Sequence, residues 1–539
     1  MDILIKNGLV CDGSGALPVH ADVLIQGEKI ARIAPRIEAA DLNAADTEVV
    51  DAGGKLVTPG FIDIHRHCDI MPFKDSPFGE IELRQGITTT FVGNCGLAPV
   101  PSAPETRAEL YSYLEPVIGA VPKDLVFETY ADYFTALEQA DLPLNIGVLA
   151  GSDSIKIAVK GFGNQAYTDE EMERARALVR QALDQGAFGL TLGIMYQPEC
   201  YSSREELTAV VQAAAGPGRV LCTHIRGEGN SLVESVDEVI DVAAQAGIAL
   251  NISHLKATGV KNWNKKIHTA IARIEQARAA GQDVTADFYP YDGGSTTLQS
   301  LLPPTVMAES LEQLIRNLSG PEGRKRLREE LAKEHDGWDN MAESIGWDRI
   351  LISSVTLPEH HFMLGRSVGA AAEEAGYAEP ADLAADLLVA EEGRVGIIVL
   401  SMSQEDVDTV AGLPYTMLIS DALYGGESKH AHPRLLGATA RFIRNYTQKR
   451  NVISLAEAIK KMTFLPAQRM GLPDRGLIKE GYQADLLVFA PEQFQDHADY
   501  TGSHELCTGM DLVLLGGRKV LADGKVLDTA QGRLLRRNQ

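Results

Sequence analysis

Along the first 58 residues, short apolar runs alternate with turn residues. Asp2-Ile3-Leu4-Ile5 leads into Asn7-Gly8, and Ala21-Asp22-Val23-Leu24-Ile25 into Gln26-Gly27. Lys29-Ile30-Ala31-Arg32-Ile33 and, after Gly53-Gly54, Lys55-Leu56-Val57 continue the pattern. Period-two alternation bounded by Gly and Asn predicts a small antiparallel sheet. The same texture returns in residues 484–489, 512–517 and 519–526. The matching ends predict one small β-sandwich domain built from residues 1–58 and 478–539, with residues 59–477 inserted into it.

Residues 59–477 have a different rhythm. Strand-like runs stand at 61–65, 87–92, 145–149, 187–192, 219–224, 248–253, 283–288 and 416–420. Amphipathic helical segments lie between several of them. Thr168-Asp169-Glu170-Glu171, Ser203-Arg204-Glu205-Glu206 and Ser231-Leu232-Val233-Glu234 fit the capping-box pattern. Gly186 and Gly247 fall where a helix C-cap glycine is expected. Eight strands with helices between them predict an α/β protein, a (β/α)8 TIM-like barrel. Residues 299–414 delay the last strand and are helix-rich, which predicts a helical insertion over the barrel mouth. Within it, the charged run from Glu322 to Glu330 reads as a solvated helix face with mixed ion pairs.

Composition adds exclusions. The chain has 539 residues, 45% hydrophobic and 23% charged, within the ordinary globular range. Fifty basic against 74 acidic residues give a formal net charge of −24. A chain this acidic is a poor general partner for nucleic acid or anionic membranes, both polyanions. Six scattered cysteines make no disulfide framework and no CxxC pair. The opening MDILIKNGLV does not read as a signal peptide, and no run of about 18 apolar residues occurs. The expectation is a soluble, cytoplasmic enzyme with no nucleic-acid or membrane partner; its oligomeric state is not readable.

In a barrel, chemistry sits at the C-terminal ends of the strands. The first strand ends in His65-Arg66-His67, the second in Gly93-Asn94-Cys95-Gly96, the fifth in His224, the sixth in His254 and the eighth in Asp421. A single strand-end His is more often packed than ligating, and a lone Cys is more often a small buried apolar side chain. Several converging on one rim form a donor set of imidazoles and a thiol, which suits zinc with a position left open. His65 and His67 are two apart, so both point to the same side of an extended strand.

These residues carry a resemblance. Pro59-Gly60-Phe61-Ile62-Asp63-Ile64-His65-Arg66-His67 resembles the signature of the amidohydrolase superfamily, and Gly93-Asn94-Cys95-Gly96 that of its D-aminoacylase (N-acyl-D-amino-acid deacylase) branch. Segments 223–229, 253–257, 287–291, 420–422, 432–434 and 463–467 agree, so the likeness covers nearly the whole chain. It implies the same barrel and β domain. It also implies zinc-dependent hydrolysis of an N-acyl-D-amino acid to a carboxylate and a free D-amino acid, with a zinc-activated water as nucleophile. By resemblance, Cys95, His224 and His254 match the tight zinc site, and His65 and His67 a second, weaker one. Asp421 matches the general base and acid. Lys256, Tyr289 and Arg434 match positions that hold the substrate carboxylate, and Ser295 a further contact.

Two departures from the family pattern bear on substrate preference. Cys68 follows the HxH motif where an acid often stands, and Gly151-Ser152-Asp153-Ser154-Ile155-Lys156 replaces a Gly-His with a following Arg. Neutral D-amino-acid side chains are favoured, because no second cation for an acidic one is evident. Two rivals remain: a cyclic amidase of the hydantoinase or dihydroorotase kind, and a non-catalytic scaffold. The first needs a lysine on the fourth strand, and residues 187–193 contain none; the second predicts missing ligands, and every position is filled. Gly365-Arg366-Ser367-Val368-Gly369 matches the serine-hydrolase elbow, but the elbow needs a preceding strand and Pro358-Glu359-His360-His361 precedes it here, so Ser367 reads as an N-cap for the Ala-rich helix that follows.

Overall fold

The computed structural model describes residues 2–38, 46–335, 337–424, 430–500, 502–527 and 530–537. From the N-terminus, strands β1 (Asp2–Val10), β2 (Val19–Gln26), β3 (Lys29–Ala34), β4 (Thr47–Asp51) and β5 (Leu56–Pro59) come first. The middle carries β6 (Phe61–Asp63), β7 (Arg66–His67), β8 (Ile87–Val92), β9 (Asn145–Val148), β10 (Ala150–Gly151), β11 (Gly189–Gly193), β12 (Val220–His224), β13 (Ala249–Ile252) and β14 (Val284–Phe288). Then follow β15 (Gly294–Thr297), β16 (Ile350–Ser354), β17 (Gly396–Val399), β18 (Thr416–Leu418) and β19 (Ala422–Leu423). The C-terminal strands are β20 (Leu486–Phe489), β21 (Met510–Leu515), β22 (Arg518–Ala522) and β23 (Lys525–Val526).

Both ends of the chain meet in one nine-stranded sheet, ordered β23-β22-β21-β20-β5-β1-β2-β3, with β4 on β1. The join is the antiparallel pairing of β5 with β20, where Val57 faces Val488. The sheet is mixed rather than purely antiparallel, because β1 pairs in parallel with both β4 and β5. Its strands bury a core of their own that includes Ile5, Val23, Val57, Leu486 and Leu514.

The middle strands pair in parallel, as β6-β8-β9, as β10-β11-β12-β13-β14-β18, and as β7 with β19. They lie within two residues of the runs read from sequence. Leu190, Leu221, Leu250 and Ala286 are fully buried, as expected of parallel strands covered on both faces. Between the strands run helices such as Asp169–Asp184, Arg204–Gln212 and Leu232–Ala246. Thr168 and Ser203 close capping boxes with Glu171 and Glu206. Gly247 ends its helix in the left-handed conformation. Ser231 does not cap its helix; its hydroxyl turns to Asp339 at 3.1 Å instead.

The segment at 299–414 is not purely helical. It contributes β16 and β17, which form a small antiparallel sheet with the preceding β15, and its helices pack there around a separate core that includes Val306, Leu327, Ile350, Leu387 and Ile397. The charged run lies on the helix Gly320–Leu331 and is only partly solvated. Arg324 reaches Asp386 at 2.8 Å, and Arg328 contacts Asp382, both on the neighbouring helix Pro380–Ala390. Ser367 accepts from Ala370 N as the N-cap of Val368–Glu374, so it is no elbow nucleophile. Among the described residues, no helix is long and apolar enough to cross a membrane.

Candidate active site

The strand ends gather polar residues, of which His67, Cys95, His224, His254 and Asp421 line one cavity. His65 follows β6, His67 ends β7, Cys95 follows β8, His224 ends β12, His254 follows β13 and Asp421 precedes β19. Backbone contacts fix this edge. Asp63 accepts from His65 N and Ser420 N, each at 3.2 Å, and Asp421 N donates to His65 O at 2.9 Å. Arg66, between the two histidines, points away from the cavity and is fully buried against Glu82 at 2.6 Å and Ser420 at 2.9 Å.

Cys95 Sγ lies 3.2 Å from His65 Nε2 and 3.7 Å from both His224 Nδ1 and His254 Nε2. Asp421 Oδ1 lies 3.4 Å from His65 Nε2 and 3.5 Å from His67 Nε2, and its Oδ2 is 3.0 Å from Arg434 Nη1. Three overlapping donor groups result: His65, His67 and Cys95; Cys95, His224 and His254; and His65, His254 and Asp421.

The donors suit a soft divalent ion. Zn–S of about 2.3 Å and Zn–N of about 2.0–2.1 Å at a tetrahedral angle separate S from N by roughly 3.5 Å, close to the 3.7 Å seen twice here. Burial lowers His224 to about 3 and also lowers His254, so both rings are neutral and offer lone pairs. Burial pushes the Cys95 thiol well above its usual range, a state that a bound dication reverses. Burial alone would lift the Asp421 carboxyl, but Arg434, His65 and His67 hold it well below the usual carboxylate range.

Lys256, Tyr289, Ser295 and Arg434 line the same cavity. Two cations lie against the Tyr289 ring, with Arg434 Cζ 4.6 Å and Lys256 Nζ 5.7 Å from its centroid. Ser295 stands on β15, where its hydroxyl donates to Ile397 O and its carbonyl accepts from Arg434 Nη2 at 3.4 Å. Leu97, Val117, Met195, Met341, Val399 and Leu423 form the apolar wall, so Met341 and Val399 bring the 299–414 segment to the site.

Two residues escaped the sequence reading. Met195 Sδ approaches His224 Nε2 at 3.2 Å, and the Glu228 carboxylate meets His254 and Lys256. Glu228 lies in the loop after His224, inside the segment 223–229, and its four-residue spacing carries no facing signal outside a helix. The two departures lie away from the cavity lining. Cys68 is wholly buried in the core. Ser152 contacts Glu199, and Lys156 donates to Ser202 Oγ at 2.7 Å, both within a buried network behind the rim.

Parallel strands that gather Cys, His and Asp side chains at their C-terminal ends define a metal-dependent hydrolase. The chain belongs to the amidohydrolase family, whose model matches residues 48–299 and 411–527. It is 32% identical to an N-acyl-D-glutamate deacylase of Alcaligenes xylosoxydans xylosoxydans, covering 100% of this chain and 97% of that one. It is 30% identical to a D-aminoacylase of the same organism, covering 99% and 98%. The crystal structure of N-acyl-D-glutamate deacylase from Bordetella bronchiseptica, complexed with zinc and a phosphonate inhibitor, superposes with a TM-score of 0.82 at 28% identity over 99% of both chains. A dihydroorotase of Caldanaerobacter subterraneus matches only 59% of this chain, at 27% identity.

Proposed function

We propose that this amidohydrolase is an N-acyl-D-amino-acid deacylase for substrates with neutral side chains. The observation that carries the reaction is the Cys95, His224 and His254 donor set with the Asp421 carboxylate beside it. Cys95 Sγ, His224 Nδ1 and His254 Nε2 would hold a zinc ion, and His65 and His67 a second, weaker one. When bound, zinc acidifies a water to a pKa of roughly 7 and polarises the amide carbonyl.

The side chains supply the rest. Asp421 Oδ1 takes the proton of the attacking water and passes it to the departing nitrogen. Arg434 fixes the other carboxylate oxygen, so the base cannot rotate out of reach. Lys256, Arg434, Tyr289 and Ser295 hold the α-carboxylate of the substrate. The apolar wall excludes water and receives the side chain.

Charge balance favours the neutral class. Lys256 and Arg434 are already opposed by Glu228 and Asp421. Zinc with Cys95 as thiolate leaves one positive charge, and one α-carboxylate neutralises it. A second carboxylate on the substrate would be buried without a partner among the described cavity residues, which is costly.

On this reading, the three parallel sheets are arcs of one (β/α)8 barrel spanning 59–477, joined where Asp63 meets Ser420 and β7 meets β19. Residues 1–58 and 478–539 form the small β domain, and 299–414 is a lid. The test is a release assay on N-acetyl-D-methionine, N-acetyl-D-glutamate and their L counterparts. D-methionine release should exceed D-glutamate release at least tenfold, with no turnover of the L forms. Hydrolysis of L forms only would overturn the deacylase reading, and faster D-glutamate release would overturn the neutral preference.

A further inference from the structure

Glu228 has no part in the chemistry above, yet it sits at the centre of the site. Its Oε1 lies 2.9 Å from His254 Nδ1 and 3.9 Å from His224 Nε2, and it contacts Lys256 Nζ. All four side chains are buried or nearly so. The loop that carries Glu228 is held on both sides. Thr258 N donates to Glu228 O at 2.7 Å, Gly227 N to Ser235 Oγ at 3.0 Å, and Gly229 N to Asp339 Oδ2 at 2.7 Å.

Lys256 Nζ is 2.7 Å from the same His254 Nδ1. Two groups of opposite sign therefore compete for one ring nitrogen. An ammonium only donates, so it needs a lone pair on Nδ1 and leaves the ring proton on Nε2. Nε2 is the atom that faces Cys95 Sγ at 3.7 Å, and a protonated Nε2 cannot ligate. A carboxylate only accepts, so it needs the proton on Nδ1 and frees the Nε2 lone pair. These are two tautomers of one neutral ring, and the exchange moves no net charge.

We propose that Glu228 is a positioning residue that selects the Nδ1–H tautomer of His254, and that capture of a substrate carboxylate by Lys256 shifts the ring toward that tautomer. Lys256 drawn toward the substrate leaves Nδ1 to Glu228 alone. Carboxylate binding then strengthens zinc binding, and linkage requires the reverse as well. The second half rests on the deacylase reading, because it gives Lys256 the substrate carboxylate; the first half does not.

The test measures zinc affinity by chelator competition in full-length wild type, Glu228→Gln and Lys256→Met, each with and without saturating D-methionine. Wild type should bind zinc at least fivefold more tightly with D-methionine present. Glu228→Gln should bind zinc about 10–100-fold more weakly than wild type and gain nothing from D-methionine. Lys256→Met removes the competitor, so it should bind zinc at least as tightly as wild type and show no D-methionine effect. Should Glu228→Gln fail to fold, Lys256→Met decides alone: zinc binding weaker than wild type overturns the proposal. Wild-type zinc affinity in folded Glu228→Gln also overturns it. If Glu228→Gln loses zinc affinity while D-methionine leaves wild type unchanged, the tautomer role stands and the coupling falls.

Discussion

Cys95, His254 and Asp421 stand on backbone that L-residues seldom adopt, with φ of 53°, 37° and 51°. Each such residue costs of order 1–3 kcal/mol and persists because its surroundings over-determine it. Here the chain turns sharply just past a strand end and swings each side chain into the cavity. Asp421→Gly should therefore be more stable than Asp421→Ala by about 1 kcal/mol, since only glycine relieves the positive φ; paired denaturant titrations read this directly. Asp421→Asn keeps the shape but cannot take the proton, so turnover should fall about 10²–10⁴-fold with zinc retained; single-turnover kinetics and metal analysis check both halves. The residues proposed as zinc ligands could be picked out because each stands at a strand end, and strand ends can be read from apolar runs. Glu228 and Met195 were not, because they act from loops and matter only through tertiary approach to His254 and His224. The direction of Cys68 could not be read either: its place beside the HxH motif says nothing of it, and its side chain packs into the core.

The middle strands were legible as elements because each is a short apolar run between turn signals. The sheet that β15 forms with two strands of 299–414 was not. Its strands Gly294–Thr297, Ile350–Ser354 and Gly396–Val399 are four or five residues long, and the first carries no apolar side chain. Only partners distant in sequence make them strands. Ser231 shows the same limit for a helix start. Its sequence fits a capping box, but Asp339 takes Gly229 N, Ser231 N and Ser231 Oγ together. That carboxylate ties the 299–414 segment to the loop after β12. Asp339→Ala should cost about 2 kcal/mol, the loss expected for hydrogen bonds to a charged acceptor. Because Met341 two residues on lines the cavity, KM should rise more than kcat falls; steady-state kinetics separate the two.

At the scale of the molecule, the −24 charge works against an anionic substrate. Long-range repulsion slows encounter, while the buried cations act only at short range. Salt screens the first and barely touches the second, since the Debye length is about 10 Å at 0.1 M. For an N-acyl amino acid, kcat/KM should therefore rise as ionic strength goes from 10 to 150 mM, and stay flat for a carboxamide analogue. Stopped-flow or initial-rate measurement at low substrate checks it.

The sheet shared by the two ends sets a timetable for synthesis. β5 is complete at Pro59, but the neighbour that covers its edge, β20, begins only at Leu486. At 5–20 residues per second, a ribosome needs roughly 20–90 s to deliver that neighbour. For that interval Leu56 and Val57 offer an uncapped strand edge to any passing chain. The nascent protein must be shielded through most of its own translation, and the last strand set to emerge is the one that makes the first safe.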